Sequence, residues 1–185
     1  MPSSASCNKN LNVVAHLIEQ LQQASTDQAR KTLISSIEVS LVDVELYHHF
    51  GAASYGRNLV FSNADFEVIL MCWQSNQHST AHDHNGSLCV MKCLAGELEE
   101  QRYIKTATQT PALLAAEKKR LVAGATSSIT DLEGLHSIRN SSQRTACSLH
   151  FYFPAIHSTN VYCLKDGSQK SVTSVFTSEY GKLIG

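Results

Sequence analysis

Two histidines separated by a single residue, His82 and His84, are the feature of this sequence best suited to chemistry. Because side chains alternate between the two faces of a β-strand, both imidazoles would lie on one face and could bind the same metal ion. Asn85-Gly86 then signals a turn, and Cys89 lies near the start of the apolar run that follows. We therefore expect the returning strand to bring Cys89 close to the two histidines.

A His-x-His pair alone is a weak signal, but other residues of the chain support it. His136, farther along the chain, supplies a third imidazole. Ser148, His150 and Tyr152 alternate with apolar residues, so all three would lie on one face of another strand. That face is expected to point into a polar interior.

The composition is that of an ordinary globular protein, with 185 residues, 43% hydrophobic and 17% charged residues, and a formal net charge of -1. We expect a single domain over residues 1–185. There is neither a basic excess suited to nucleic acids nor an apolar run near the ~20 residues of a membrane span. The N-terminus has no basic stretch leading into an apolar one, as a secretory signal would, so we expect a cytoplasmic protein. Because no long apolar edge is evident, we expect a monomer, with small molecules as its partners.

The cysteines are interpreted as free, mostly buried thiols. Most of them lie in apolar runs of strand type, a chain of this size needs no disulfide, and no Cys-x-x-Cys motif is present. They are Cys7, Cys72, Cys89, Cys93, Cys147 and Cys163.

Residues 10–50 are predicted to be helical, because apolar residues recur there at spacings of three and four. A second helix is predicted over residues 27–37 and a third from about residue 40. The region offers no convergent polar groups. We therefore expect its helices to cap a barrel end or cover a sheet edge rather than take part in catalysis.

After Gly51 short apolar runs alternate with turn signals, which is typical of a β-sandwich or β-barrel. Gly56 marks the entrance of the first strand, and residues 108–119 are ambiguous between a helical turn and a loop. The other predicted strands cover residues 66–73, 81–85, 87–94, 97–104, 119–122, 126–131, 135–139, 146–153, 160–164 and 171–177.

The spacing of the histidines resembles that of the cupin superfamily, with Cys89 where the first cupin motif has Glu and Asn76 where it has its leading glycine. The matching residues are His82, His84 and Gly96 in the first motif and His136 and Asn140 in the second. The resemblance implies a jelly-roll-like β-barrel of the all-β class, here with an N-terminal group of α-helices.

A narrower resemblance, to the cysteine dioxygenase family, covers roughly residues 44 to 181. Its segments occur in the same order and at nearly the same separations as in that family. They are Tyr55-Gly56-Arg57-Asn58-Leu59-Val60, Leu70-Met71-Cys72-Trp73, His82-Asp83-His84, Gly134-Leu135-His136 and Ser148-Leu149-His150-Phe151-Tyr152.

This resemblance implies a mononuclear Fe(II) bound by His82, His84 and His136. Three neutral ligands leave the charge of the metal uncompensated and several positions open, which suits an anionic thiolate, an amine and O2. Imidazole ligands alone would not select iron among the divalent metals.

The resemblance also assigns the substrate contacts. Arg57 is the expected clamp for the substrate carboxylate, since a guanidinium matches a carboxylate in two bonds, and Tyr55 is expected to assist it. Tyr152 would present its phenol to the bound thiolate or oxygen, held by His150, which Ser148 would hold in turn.

Cys89 matches the position that forms a thioether to the tyrosine ring in animal-type cysteine dioxygenases, so the resemblance implies a Cys89–Tyr152 crosslink. It also suggests a cis peptide at Phe153-Pro154 and places Cys163 near the mouth of the pocket.

The implied reaction converts L-cysteine and O2 to cysteine sulfinic acid. Two alternatives stay open from the sequence: a dioxygenase of another small thiol acid such as 3-mercaptopropionate, and a non-catalytic metal-binding cupin. The second alternative would have no need for Arg57, His150 and Tyr152 around one cavity.

Overall fold

The computed structural model describes residues 4–106 and 113–184, with side chains from residue 13 onward. Two helices, α1 and α2, and a 3₁₀ helix precede thirteen strands. The helical elements are α1 (Ser4–Gln23), α2 (Asp27–Ser36) and the 3₁₀ helix Leu41–Tyr47. The strands are β1 (Gly56–Ser62), β2 (Glu67–Trp73), β3 (Ala81–His82), β4 (Leu88–Ala95), β5 (Glu97–Lys105), β6 (Leu113–Val122), β7 (Thr126–Ile129), β8 (Leu135–Arg139), β9 (Ala146–Phe153), β10 (Ser158–Tyr162), β11 (Gln169–Thr173), β12 (Ser178–Glu179) and β13 (Lys182–Leu183).

The strands form two sheets. One sheet has seven strands in the order β13-β12-β1-β2-β9-β4-β7, and the other has six in the order β11-β10-β3-β8-β5-β6. Apolar side chains of both sheets meet in one core cluster, which includes Ile69 and Met91 from the first sheet and Leu98 and Ile138 from the second. The expected jelly-roll-like barrel is therefore present.

Three neighbouring strands of the seven-stranded sheet, β2, β4 and β9, are buried over most of their length. Leu70 and Cys72 on β2 pack against residues of the helices. Met71 and Trp73, on the opposite face of the same strand, belong to the core between the sheets. Burial of both faces explains why these strands are continuous apolar runs rather than alternating ones.

The helices cover the outer face of this sheet. The sequence predicted a different position for them, at a barrel end or over a sheet edge. Leu17 and Leu21 of α1, Ile34 of α2 and Val44 of the 3₁₀ helix share one core cluster with the outer residues of β2, β4 and β9. The outer face of the sheet is apolar, so leaving it in water would cost far more than leaving an edge uncovered.

Lys92 fixes the end of α2 to the sheet. Its ammonium group, almost fully buried, donates to the carbonyl oxygens of Ile34, Ser35 and Ile37 at 3.1, 2.9 and 2.7 Å. The carbonyls of Ile34 and Ser35 belong to the last turn of the helix and that of Ile37 to its C-cap, where backbone acceptors have no intrahelical partner and a cation is favourable.

The strand boundaries depart from the prediction at a few places. The strand predicted over residues 81–85 ends at His82, because Asn85 (φ +50°) and Gly86 (φ +88°) form a turn. Of the ambiguous segment, residues 113–119 belong to β6, while residues 108–112 lie outside the described residues. The short strands β12 and β13 carry no sequence pattern that predicts them.

Among the described residues, no helix has the length and apolar character needed to cross a membrane.

Candidate metal centre and substrate cavity

The structure brings His82, His84 and His136 together at one point in the barrel. His82 at the end of β3 pairs directly with His136 on β8, and His84 follows in the next turn. The Nε2 atoms of His84 and His136 lie 3.1 Å apart, and the ligand atoms of all three residues lie within 4.8 Å of one another. Two nitrogens at ~2.1 Å from one metal ion and at a right angle would be ~3.0 Å apart, so the group fits a single ion.

Contacts on the far side of the rings set their orientation. His82 Nδ1 lies 2.8 Å from the carbonyl oxygen of Thr80 and His136 Nδ1 lies 2.8 Å from Glu100 Oε1. An N–H donated to each of these oxygens leaves Nε2 free to bind a metal ion. His84 Nδ1 is buried with no hydrogen-bond partner among the described residues, and the nearest carboxylate oxygen, on Asp131, is 3.8 Å away.

The three imidazoles are held in the neutral form that a metal ion requires. Burial lowers the pKa of His82 and places the pKa of His84 and His136 well below the usual value. Repulsion between the clustered histidines acts in the same direction on His84 and His136. No carboxylate belongs to this ligand group within the described part of the chain.

Sequence reasoning missed Glu100, which supports the centre from behind. Its carboxylate is fully buried and accepts from His136 Nδ1 and from the hydroxyl of Ser127 at 2.5 Å. Arg102 adds a positive charge 3.6 Å away. A signal existed, because Glu100 falls on the same strand face as the buried Leu98.

Two aspartates, also missed, fix the turn that carries His84. Asp131 accepts from the backbone N–H groups of His84 and Gly86 at 2.7 and 2.6 Å. Asp83 points away from the histidines and accepts from the backbone of Asn160 and from the hydroxyl of Tyr162. Both residues lie in turn segments, where the sequence gives no periodic pattern for their direction.

A hydrogen-bonded row crosses the interior face of β9. Trp73 Nε1 donates to Ser148 Oγ at 3.0 Å, Ser148 Oγ lies 2.9 Å from His150 Nε2, and His150 Nδ1 lies 3.4 Å from the hydroxyl of Tyr152. Burial raises the pKa of Tyr152 well above its usual value and lowers that of His150 well below its own. The phenol and the imidazole are therefore both neutral at physiological pH.

Cys89 lies directly opposite Tyr152 in the pairing of β4 with β9. Burial raises the pKa of the Cys89 thiol, and the neighbouring phenol of Tyr152 opposes this rise. The two side chains that the resemblance joins are thus neighbours in the structure.

Arg57 enters the cavity from β1. Burial lowers the pKa of its guanidinium, but the oxygens of Tyr152 and Tyr55 more than offset this effect, and the side chain stays positively charged. Its Nε is buried with no hydrogen-bond partner among the described residues. Tyr55, which raises the pKa of Arg57, stacks on Trp73 with ring centroids 4.2 Å apart.

A cavity of about 360 Å³ joins these groups. Its inner wall includes Tyr55, Arg57, His82, His84 and Tyr152, and residues 172–175 form part of its outer wall. Cys163, expected near the mouth, is exposed and does not line this cavity.

Two backbone features agree with the family resemblance. The peptide bond between Phe153 and Pro154 is cis. Asn76, at the position of the missing cupin glycine, has φ +65°, a left-handed conformation that asparagine tolerates better than most residues. The turn is therefore retained without glycine.

Comparisons with known proteins agree with this geometry. The family model for cysteine dioxygenase type I matches residues 1–165. Cysteine dioxygenase type 1 of Rattus norvegicus is 29% identical over 153 residues, which cover 82% of this chain and 76% of the relative. The Danio rerio enzyme is 28% identical over 175 residues, covering 90% and 84%.

Solved structures support the fold. A Klebsiella pneumoniae protein with a double-stranded β-helix domain aligns with a TM-score of 0.51 at 15% identity, covering 76% of this chain and 97% of that one. A Bacillus halodurans protein aligns with a TM-score of 0.50 at 14% identity, covering 76% and 89%. With a family match over most of its length and a buried three-histidine group able to hold a metal ion, this chain belongs to the cysteine dioxygenase type I family.

Proposed function

We propose that this dioxygenase converts L-cysteine and O2 to cysteine sulfinic acid at an Fe(II) held by His82, His84 and His136. One observation carries the proposal: the three-histidine group and Arg57 meet at one cavity. His82, His84 and Arg57 line it, His136 lies beside the other two histidines, and Nε of Arg57 has no hydrogen-bond partner among the described residues. In the balanced reaction, the thiol and O2 give a sulfinate and one proton. Both oxygen atoms end on sulfur.

The choice of iron rests on the chemistry of the family together with the ligand set. Imidazole binds several divalent metals, so the structure alone supports only a metal ion. Bound Fe(II) would supply the electrons that activate O2 next to the thiolate. The three histidines hold the ion, and the absence of an acidic ligand from their group leaves positive charge for an anionic substrate.

Arg57 would bind the substrate carboxylate. The Nε–H of Arg57 is buried without a hydrogen-bond partner among the described residues. A hydrogen bond to an incoming anion would offset the free energy lost when this group was removed from water. Tyr55, which lines the same cavity as Arg57, would offer its hydroxyl to the same carboxylate.

Tyr152 would act as a hydrogen-bond donor in the cavity. Its raised pKa keeps the phenol protonated, and His150 orients it through the row that ends at Trp73. A neutral donor can stabilise negative charge on sulfur or oxygen without bringing a competing anion into the site.

The register of Cys89 and Tyr152 supports the thioether crosslink. The bond would join Sγ to a ring carbon of Tyr152 and remove two hydrogen atoms, with O2 as the oxidant. Intact-mass analysis after turnover should detect the loss of two hydrogens. Cys89→Ser should abolish that loss, and Cys93→Ser, at a second buried cysteine of β4, should retain it.

The decisive experiment measures O2 uptake by iron-loaded protein with L-cysteine, 3-mercaptopropionate and cysteamine. We expect the highest kcat/KM for cysteine. Cysteamine should have the lowest kcat/KM, because it has no carboxylate for Arg57 to bind. Mass spectrometry of the product made under labelled O2 should find two labelled oxygens in the sulfinate. A higher kcat/KM for 3-mercaptopropionate would transfer the assignment to that substrate, and no uptake with any thiol would favour a non-catalytic cupin.

We further propose that the enzyme is a cytoplasmic monomer built as one domain over residues 1–185. The free thiols of Cys72, Cys89, Cys93 and Cys147 support a reducing compartment. Size-exclusion chromatography with light scattering checks the monomer, and a stable dimer would contradict it.

A further inference from the structure

A second group of metal-binding residues lies apart from the three histidines. It consists of His48, after the 3₁₀ helix, with Cys72 on β2 and Cys147 on β9. The two cysteines are direct partners in the strand pairing, with their Sγ atoms 3.9 Å apart. His48 Nε2 lies 3.2 Å from Cys147 Sγ, and the three ligand atoms all lie within 4.8 Å of one another.

This cluster, which we call the outer Cys-His site, lies on the other side of the sheet from the substrate cavity. Cys72 and Cys147 belong to the core between the sheet and the helices. Their chain neighbours Trp73 and Ser148 point into the barrel, where they join the row that reaches Tyr152. Strand alternation therefore separates the two sites.

We propose that the outer Cys-His site binds a thiophilic divalent cation, Zn²⁺, through two thiolates and one imidazole, with water as the fourth ligand. In a tetrahedral site with Zn–S bonds of ~2.3 Å, two sulfurs lie ~3.8 Å apart. The observed 3.9 Å between the Sγ atoms matches that spacing. The sulfurs of a disulfide would be only ~2.05 Å apart.

The charges of such a site balance. Two thiolates neutralise Zn²⁺ and a neutral imidazole adds nothing, so the bound site can be buried without a net charge. Cys72 is fully buried and Cys147 nearly so, while His48 is half-buried and leaves a route for the ion.

A polar side chain lies against the sulfur of Cys72. The buried amide of Asn58 donates from Nδ2 to the carbonyl oxygens of His49 and Leu70 at 2.9 and 3.1 Å, and its Oδ1 accepts from Ser178 Oγ at 2.8 Å, which fixes the amide orientation. In this orientation Nδ2 lies 3.6 Å from Cys72 Sγ. An outer contact of this kind helps to orient a metal ligand.

The bound ion would have a structural task. It would join the segment after the 3₁₀ helix to the middle of the seven-stranded sheet, at the strands whose inner faces carry the Trp73–Tyr152 row. An ion that binds the folded protein and not the unfolded chain adds its binding free energy to the stability of the fold. The ion would therefore stabilise the fold without contacting substrate.

The test is a titration of the fully reduced protein with Co²⁺, read by the thiolate-to-cobalt charge-transfer absorption in the near ultraviolet. The three catalytic histidines bring no thiolate to a bound ion, so this absorption reports on cysteine ligands. We expect one equivalent of absorbing Co²⁺ per chain, displaced by one equivalent of Zn²⁺. Cys147→Ser should abolish the absorption, and Cys163→Ser, at an exposed cysteine, should retain it.

His48→Ala provides a variant whose folding is not in question, because the side chain is only half-buried. Losing a direct ligand should weaken Co²⁺ binding at least as much as the ~10–100-fold caused by losing an outer-shell partner. No charge-transfer absorption in the native protein would overturn the proposal. An absorption that persists unchanged in both Cys147→Ser and His48→Ala would also overturn it.

Discussion

At the scale of single residues, two buried charged side chains, Arg57 and Glu100, have different positions relative to the cavity. Arg57 faces the cavity with an unsatisfied donor, whereas Glu100 faces away from it and bonds the outer nitrogen of His136. Under the proposed function, Arg57 would bind the substrate and Glu100 would orient a metal ligand. Substitutions at these positions should therefore change different constants.

Arg57→Ala should raise the KM for cysteine by about 10–100-fold, since a hydrogen bond to a charged group contributes about 1.5–3 kcal/mol. Steady-state kinetics with the iron-loaded variant measures the change. Arg144→Ala removes an exposed guanidinium and is the matched control. A KM unchanged by Arg57→Ala would rule out the clamp.

Glu100→Gln should weaken metal binding by about 10–100-fold, because His136 would lose its charged hydrogen-bond acceptor. Competition with a chelator gives the affinity. Glu99→Gln changes the next residue, which pairs with Lys118 outside the barrel, and should leave the affinity as it was. Equal affinities in both variants would refute the supporting role of Glu100.

At the scale of elements, the metal centre depends on how β8 approaches β5. Gly134 precedes β8 with φ +127°, and a Cβ at this position would lie 2.4 Å from the carbonyl oxygen of Tyr103 on β5. Two residues later the same strand carries His136. The glycine therefore permits the close strand approach that positions a ligand.

Gly134→Ala should lower both thermal stability and metal affinity, because the strain of a positive φ adds to a clash with the backbone. Gly124→Ala is the control: its φ is +88°, but no described heavy atom lies within 4 Å of the added Cβ. That variant should lose only about 1–2 kcal/mol of stability, and its metal affinity should not change. Matching losses in the two variants, measured by denaturant unfolding and chelator competition, would exclude the clash.

The attachment of α2 to β4 is a second feature at this scale. Lys92→Met leaves the carbonyls of Ile34, Ser35 and Ile37 without their donor and should reduce the free energy of unfolding by about 1–3 kcal/mol. Lys170→Met, at an exposed lysine of β11, should change it by less than about 0.5 kcal/mol. Urea titrations measure both, and an equal stability of the two variants would mean that Lys92 does not stabilise the helix end.

At the scale of the whole molecule, the metal centre joins separate parts of the six-stranded sheet and the turn that follows β3. A ligand that binds only the folded state stabilises it by mass action, by ~2.7 kcal/mol at a hundredfold excess over its Kd. For a chain of this size that corresponds to a rise in Tm of roughly 5–10 °C. Calorimetry under anaerobic conditions with and without Fe(II) measures it. The His136→Ala variant should show no rise in Tm on addition of Fe(II). An unchanged Tm of the native protein with Fe(II) would contradict the linkage between metal binding and folding.

The alternation of polar and apolar residues was enough to predict the interior face of β9. His82 and His84 converge as expected, but His84 lies in the turn beyond β3 and not on the strand face. The motif spacing then predicted the barrel, its family and the ligands that converge in it. In the turns, where side chains follow no regular repeat, the sequence pattern did not predict the direction of the side chains. Asp83 and Asp131 lie in turns, and the placement of the helices over the sheet face depended on β2, β4 and β9 being apolar on both sides.

The sequence by itself determined which residues share a strand face, because that pattern is set by the two-residue repeat of the backbone. Only the tertiary structure decided which faces meet. The contact of Glu100 with His136, and that of His48 with Cys147, depend on the pairing of strands and the docking of a segment far apart in the chain. Long-range packing fixes those partners, and no local repeat encodes them.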